Sequence, residues 1–299
     1  MITATNVTMK FEDFVALNHL NCTIPNGCIY GLVGSNGAGK STFLRLISGV
    51  YRPAEGEIFI DDQPVYENPA VKAQLMFIPD ELFFLPGSNM DQMASFYSHL
   101  YDSFRFDRYH NLTKTFGLNP RAPIHTFSKG MRRQAATILG LSVMPRFLFF
   151  DETFDGLDPV MRNLVKEVIN QDVAQRNTTT IITSHSLREL EDTCGQLALL
   201  HKGGIVFESD IQNLTTKLFK IQIALPYEFN RSVFAGVDLL NYSQHGTVAT
   251  FIVRGDREQT LGFLRTLNPV LLDVLPLGLE EVFVFEMEAL GYAFKEILM

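Results

Sequence analysis

The run Gly34-Ser35-Asn36-Gly37-Ala38-Gly39-Lys40-Ser41-Thr42 constrains this chain more than any other stretch. It follows the apolar segment Cys28–Val33 and leads into the helix-patterned Phe43-Leu44-Arg45-Leu46-Ile47. A strand, a glycine loop and a helix N-terminus in that order make a phosphate cradle. Backbone N–H groups point inward, Lys40 reaches the β- and γ-phosphates of a nucleoside triphosphate, and Ser41 can hold Mg²⁺. Kinases, GTPases, motors and transporters share this device, so later motifs must choose among them.

With 299 residues, 46% hydrophobic and 19% charged, the chain has room for one large domain and a smaller one. A net charge of −8 argues against a nucleic-acid surface, which needs clustered Lys and Arg. Cys22, Cys28 and Cys194 form no Cys-x-x-Cys pair and lie among apolar neighbours, reading as buried thiols of a reducing compartment. The start Met1-Ile2-Thr3-Ala4 lacks a signal-peptide pattern. The apolar stretch Ile138–Phe150 is interrupted by Pro145 and Arg146, so any membrane role is expected to run through a partner.

Val7, Met9 and Phe11 alternate with Asn6, Thr8 and Lys10 as in a half-buried strand. Leu20–Ile24 and Cys28–Val33 flank the turn Pro25-Asn26-Gly27, which predicts a hairpin ahead of the phosphate loop. Gly49 is placed to end the first helix, and a short strand follows at Glu57–Ile60. Ser88–Leu118 changes to helical spacing, with Met93, Phe96, Tyr97 and Leu100 read as its core face. Arg146–Phe150 and Thr178–Thr183 read as buried parallel strands separated by a helix over Val160–Gln175, a doubly covered α/β sheet.

The pattern shifts near Thr215. Phe219, Ile221, Ile223 and Leu225 alternate with polar or small residues, and strands at Thr247–Val253 and Val270–Leu275 bracket a helix over Arg257–Leu267. Leu279–Leu298 reads as helical, with an amphipathic tail at Ala289–Met299. This second region predicts a small α+β accessory domain.

Phe147-Leu148-Phe149-Phe150-Asp151-Glu152 is an apolar strand ending in two carboxylates. Strand ends face the sheet's C-terminal crevice, so Asp151 is placed for a Mg²⁺ shell and Glu152 to orient or deprotonate the attacking water. The same pair can also cap the following helix. Ser128-Lys129-Gly130-Met131 opens a helical pattern and makes a second anion site with no phosphate of its own within one chain. Asp158 before Pro159 reads as a helix cap, and the strand Thr178–Thr183 runs into Ser184-His185.

Taken in order, these motifs resemble the nucleotide-binding subunit of ATP-binding cassette (ABC) transporters across residues 1 to about 212. Gly34–Thr42 is similar to the Walker A loop, Ser128–Met131 to the signature loop, Phe147–Glu152 to Walker B, Gly156-Leu157-Asp158 to the D-loop and His185 to the switch histidine. The resemblance implies a P-loop NTPase fold of the α/β class with an antiparallel β subdomain and a helical subdomain at about 82–145. A C-terminal α+β domain at 213–299 completes the chain.

It implies ATP and Mg²⁺ as cofactors, with Ser35 to Thr42, Ser128 and Gly130 at the phosphates and Phe11 stacking on adenine, Phe14 being the nearby alternative. Lys40, Glu152 and His185 are the implied catalytic set, and Ser41, Asp151 and Asp80 the implied metal set. The implied partners are a second cassette, meeting this one head to tail around ATP, and separate membrane permease subunits at the cytoplasmic face. No nucleic acid is expected.

Four positions depart from the pattern. Phe127, Lys129 and Met131 stand where the signature usually has Leu, Gly and Gln, and Asp80 stands where the family commonly carries glutamine. The Phe-Ser-Lys-Gly-Met run, the Pro79-Asp80-Glu81 segment and the short C-terminal domain resemble the bacterial branch that exports antimicrobial or amphipathic peptides, phenol-soluble-modulin exporters among them. The rival reading is a soluble ABC ATPase acting on ribosomes or DNA, which typically has two cassettes and basic surfaces. A non-catalytic sensor would lack Glu152 or His185, and a GTPase would need an Asn-Lys-x-Asp guanine reader, which is absent.

Overall fold

Alternation at the start of the chain becomes two antiparallel strands, β1 (Ile2–Phe11) and β2 (Phe14–Ile24), joined by a tight turn in which Phe11 pairs with Phe14. The computed structural model describes residues 1–154, 156–211, 218–275 and 277–282. The chain divides after Glu208 into two units. The boundary expected at 212/213 falls on residues outside those described.

In the first unit, β3 (Ile29–Val33), α1 (Lys40–Ile47), β4 (Glu55–Ile60), β5 (Gln63–Pro64), α2 (Pro69–Lys72) and β6 (Leu75–Ile78) come first. A helical insertion follows, with α3 (Met90–Leu100), α4 (Phe106–Phe116) and α5 (Lys129–Ser142). The unit then runs through β7 (Phe147–Asp151), α6 (Pro159–Arg176), β8 (Thr179–Ser184), α7 (Leu187–Glu191), β9 (Gln196–His201) and β10 (Gly204–Asp210). Two sheets form, one antiparallel in the order β2-β1-β4-β5 and one in the order β10-β9-β3-β8-β7-β6. In the second sheet β3, β6, β7, β8 and β9 pair parallel to one another. Helix α1 buries Phe43, Leu44, Leu46 and Ile47 in a core shared with both sheets, against Val7, Leu17, Tyr30 and Phe149.

The expected hairpin between β2 and β3 does not form. All five residues of β3 are buried, so it needs neighbours and cover on both sides and lies inside the parallel sheet between β8 and β9. β2 alternates and stays with β1. The Pro25-Asn26-Gly27 turn therefore carries the chain from one sheet to the other, with the Gly27 N–H donating to Thr179 Oγ1 at 2.9 Å.

The helical insertion packs through α5, which touches α3, α4 and β6. Helix α3 starts at a reciprocal Asn89/Gln92 cap and buries Met90, Met93 and Ala94. That stripe runs i, i+3, i+4, so Phe96 and Leu100 point to solvent, correcting the expectation that both are core. The insertion is tied to α6 by a charge cluster. Arg108 Nη2 donates to both oxygens of buried Asp172 at 2.7 Å, and Arg176 approaches Asp172 Oδ2 at 3.3 Å while donating to the Met144 carbonyl at 2.6 Å. Replacing Asp172 by alanine leaves two half-buried guanidinium groups facing each other. A loss of about 3 kcal/mol is expected, read as a fall in thermal midpoint of several degrees by calorimetry.

The second unit contains β11 (Leu218–Ala224), β12 (Leu239–His245), β13 (Val248–Arg254), α8 (Arg257–Thr266) and β14 (Leu271–Leu275), with sheet order β12-β13-β11-β14 and every pair antiparallel. Phe219, Ile221, Ile223 and Leu225 face the core with Phe234, Phe251 and Leu264, as their alternation predicts. Strand β12 was not legible, because its pairing register slips between Leu240 and Tyr242 around Asn241 at φ 38°. Leu279–Val282 is helical and buries Leu279 and Val282. The rest of the helix expected over 279–298 and the tail Ala289–Met299 lie outside the described residues.

Candidate nucleotide site

Parallel register decides where the motifs meet. In β3, Val33 is level with Ser184 of β8, and Thr183 of β8 is level with Asp151 of β7. The loop after β3, the carboxylates ending β7 and the histidine after β8 therefore emerge side by side at the carboxyl edge of one sheet.

The loop has its shape because two glycines leave no room for a side chain. A Cβ at Gly34 would meet the Leu200 carbonyl oxygen at 2.4 Å, and one at Gly39, which has φ +110°, would meet the Ala16 carbonyl oxygen at 2.7 Å. Gly39 caps α1 without any side-chain bond, so the first turn of that helix keeps its N–H groups for an anion. Ala38 is buried in the core and anchors the loop, while Asn36 and Gly37 are exposed and Ser35, Ser41 and Thr42 are half-buried.

Lys40 is buried and its ammonium has three partners. It donates to the carbonyls of Gly34 at 2.6 Å and Ser35 at 3.2 Å, and it pairs with Glu152 Oε1 at 3.1 Å. The hydroxyls of Ser41 and Thr183 both donate to Asp151 Oδ1, at 3.0 and 2.8 Å. Burial pushes the Asp151 carboxyl above the usual carboxylate range; the two hydroxyl bonds act in the opposite direction, and the Glu152 charge adds to the rise.

Glu152 holds a left-handed backbone with φ +48°, a strained conformation for a side chain of this size. Its N–H donates to Thr183 Oγ1 at 3.1 Å, which holds the turn, and its Oε2 lies 3.0 Å from His185 Nδ1. The carboxylate only accepts, so this contact places the histidine proton on Nδ1. Lys40, Glu152 and His185 thus form one chain of contacts. Thr183, which holds the Asp151 carboxylate and the Glu152 backbone, was not singled out in the sequence, although it ends a β-branched run two residues before His185.

The remaining candidates stand apart from this cluster. Ser128 caps α5, its Oγ accepting from the Met131 N–H at 3.2 Å, and it is exposed. Gly130 lies against the turn after β7, where a Cβ would come within 2.8 Å of the Gly156 carbonyl oxygen. Asp158 caps α6 by accepting from Val160 and Met161. Phe11 is 40% exposed and meets Tyr51 edge-on at 5.5 Å, leaving a ring face open. Asp80 does not join Ser41 and Asp151: its carboxylate takes the Arg133 guanidinium at 2.6 Å.

Ser41 Oγ and Asp151 Oδ1 are hard oxygen donors beside the phosphate loop, a set that suits Mg²⁺ completed by phosphate oxygens and water. Among the described residues no cluster of three or more His, Cys, Asp or Glu offers a cage made of protein alone.

Residues 17–155 match the family model described as ABC transporter. The first unit has the fold of an ABC ATPase cassette. Over 285 residues the chain is 28% identical to the ABC transporter ATP-binding protein YtrB of Bacillus subtilis (strain 168), covering 95% of this chain and 97% of that protein, so the likeness runs through the second unit too. It is 26% identical to the bacitracin transport ATP-binding protein BcrA of Bacillus licheniformis, over 72% of this chain and 71% of that one. Among solved structures, an ATP-binding subunit of an ABC transporter superposes with TM-score 0.66 at 22% identity, over 72% of this chain and 91% of its own. The dimeric structure of MJ0796, a bacterial ABC transporter cassette, gives 0.63 at 19% identity, over 71% and 99%. These two likenesses establish a shared fold. Gly34–Thr42 and the ends of β7 and β8 lie at the carboxyl edge of that fold's parallel sheet.

Proposed function

We propose that this chain is the ATP-hydrolysing subunit of a transporter whose membrane-spanning parts are separate chains, and that two cassettes close head to tail around ATP. The observation that carries it is the division of the chemistry. Lys40, Ser41, Asp151, Glu152 and His185 share one edge, whereas Ser128 sits exposed on an open helix end that bonds to none of them. Such an end suits a phosphate presented by another copy.

In this reading the N–H groups opening α1 and the Lys40 ammonium hold the β- and γ-phosphates. Ser41 and Asp151 would hold Mg²⁺, which would supply positive charge against the phosphates. Glu152 accepts a proton from the attacking water, and His185, fixed by Glu152, lies against the γ-phosphate. Phe11 stacks on adenine, and hydrolysis removes the γ-phosphate that bridges the two copies. The similarity to a bacitracin transport protein supports a peptide-like cargo. No described helix is long and apolar enough to cross a membrane, which fits attachment to the cytoplasmic face through permease subunits.

The segment after β6 supplies a docking surface. Phe83 is 75% exposed beside Phe84, Leu85, Ile124 and His125, around a cavity of about 240 Å³. Met93 is 2% exposed and belongs to the core. Phe83→Ala should reduce recovery of the membrane subunit in co-purification by roughly tenfold while nucleotide binding by the free chain stays intact. Undiminished recovery would remove this surface from the assignment. For the function as a whole, co-purification from membranes followed by identification of the associated integral protein is decisive. Recovery of ribosomal or DNA-bound material instead would favour the soluble rival.

A further inference from the structure

Asp80 leaves β6 two residues after Ile78, which is level with Phe150 of β7, so it emerges beside the Asp151–Glu152 pair at the nucleotide edge. One guanidinium holds it twice. Arg133 Nη2 donates to Asp80 Oδ1 at 2.6 Å and Nη1 to the Asp80 carbonyl at 3.2 Å. The two ends differ sharply in burial, Arg133 being 1% and Asp80 58% exposed, and Arg133 Nε is buried with no hydrogen-bond partner among the described residues. A buried cation satisfied through one carboxylate at the rim resists separation strongly, because removing that carboxylate leaves an uncompensated charge. Arg133 stands on α5 about a turn and a half beyond Ser128.

We propose that Asp80, acting through Arg133, is a positioning residue that fixes where the Ser128 end of α5 stands relative to the phosphate loop. This rests on the reading that Ser128 faces the nucleotide of an opposing cassette. Within one chain the link runs from the strand beside Walker B, through the guanidinium, into a rigid helix. A displacement of the β6 exit when nucleotide enters is passed to Ser128 instead of being absorbed in the loop. The charge at Asp80 is used to hold Arg133, which also explains how a carboxylate is tolerated so near the phosphates: its charge is neutralised by the guanidinium.

The test uses the full chain carrying Asp80→Asn or Asp80→Glu, each alone and combined with Glu152→Gln. Three readouts are measured: fluorescent mant-ATP binding by dilute protomer, the ATP concentration that half-saturates dimer formation in light scattering, and amide hydrogen exchange at residues 129–133 without nucleotide. Asp80→Asn should leave protomer binding of mant-ATP unchanged, speed exchange at the α5 start, and raise the half-saturating ATP for pairing roughly tenfold. Asp80→Glu should restore most of both effects. An increased Mg²⁺ requirement with normal pairing would overturn the proposal in favour of a metal ligand. An equal loss of mant-ATP binding, pairing and thermal midpoint would overturn it in favour of a merely structural role. If Glu152→Gln with Asp80 intact never pairs, the two-cassette reading fails. The exchange measurement on the protomer then decides the positioning role by itself, unchanged exchange in Asp80→Asn refuting it.

Discussion

Glu152→Gln is expected to lower steady-state ATP turnover by roughly 10²- to 10⁴-fold and to leave a stable ATP-bound dimer. The amide matches the carboxylate in shape but cannot take the water's proton, so the site binds and stops. A second effect follows from the contacts Glu152 makes before nucleotide arrives. Its Oε1 pairs with Lys40 at 3.1 Å and its Oε2 lies 3.0 Å from His185 Nδ1, so the carboxylate competes with phosphate for the ammonium. Removing the negative charge frees the ammonium for phosphate, and the single protomer should bind ATP more tightly as well. Turnover by phosphate release, assembly by light scattering and protomer affinity by mant-ATP titration separate the three. A variant that stays monomeric with full turnover would defeat both the assignment of Glu152 and the paired mechanism.

Lys40→Ala acts on binding itself. The ammonium is buried, and all three of its donor hydrogens are engaged, by Gly34, Ser35 and Glu152. Phosphates must displace at least one of these contacts, so the net value of the lysine is less than the sum of its bonds to ATP. Charge-assisted hydrogen bonds still contribute about 1.5–3 kcal/mol each, and a loss of roughly a hundredfold in ATP affinity is expected. Calorimetric titration reads it directly. Alanine also strips Glu152 of its cation, so hydrolysis should fall further than binding. Wild-type affinity in Lys40→Ala would mean that the nucleotide lies elsewhere.

Much of the site was legible because it is encoded in short stretches whose geometry is local. A glycine loop between a strand and a helix has one way to fold, and carboxylates at the end of an apolar strand emerge at one edge of a parallel sheet. The second unit's β11 was equally plain, since alternation over Phe219 to Leu225 leaves little choice of face. What failed depended on distant partners. The Pro25-Asn26-Gly27 turn has hairpin chemistry, but the full burial of β3 overrides it by demanding neighbours from β8 and β9. Phe96 and Leu100 fit a helical spacing, yet the packed stripe of α3 is set by where α5 lies.

The sequence by itself determined a phosphate loop, a pair of carboxylates, a histidine and a capped anion site, together with their order along the chain, because each depends on neighbours a few residues away. Tertiary structure alone decided that Thr183 holds both the Asp151 carboxylate and the Glu152 backbone, that Lys40 pairs with Glu152, and that Asp80 pairs with Arg133. Those assignments turn on which charged group in a distant segment comes within hydrogen-bond reach. Strand register and helix packing settle that distance, and residue spacing along the chain carries no record of it.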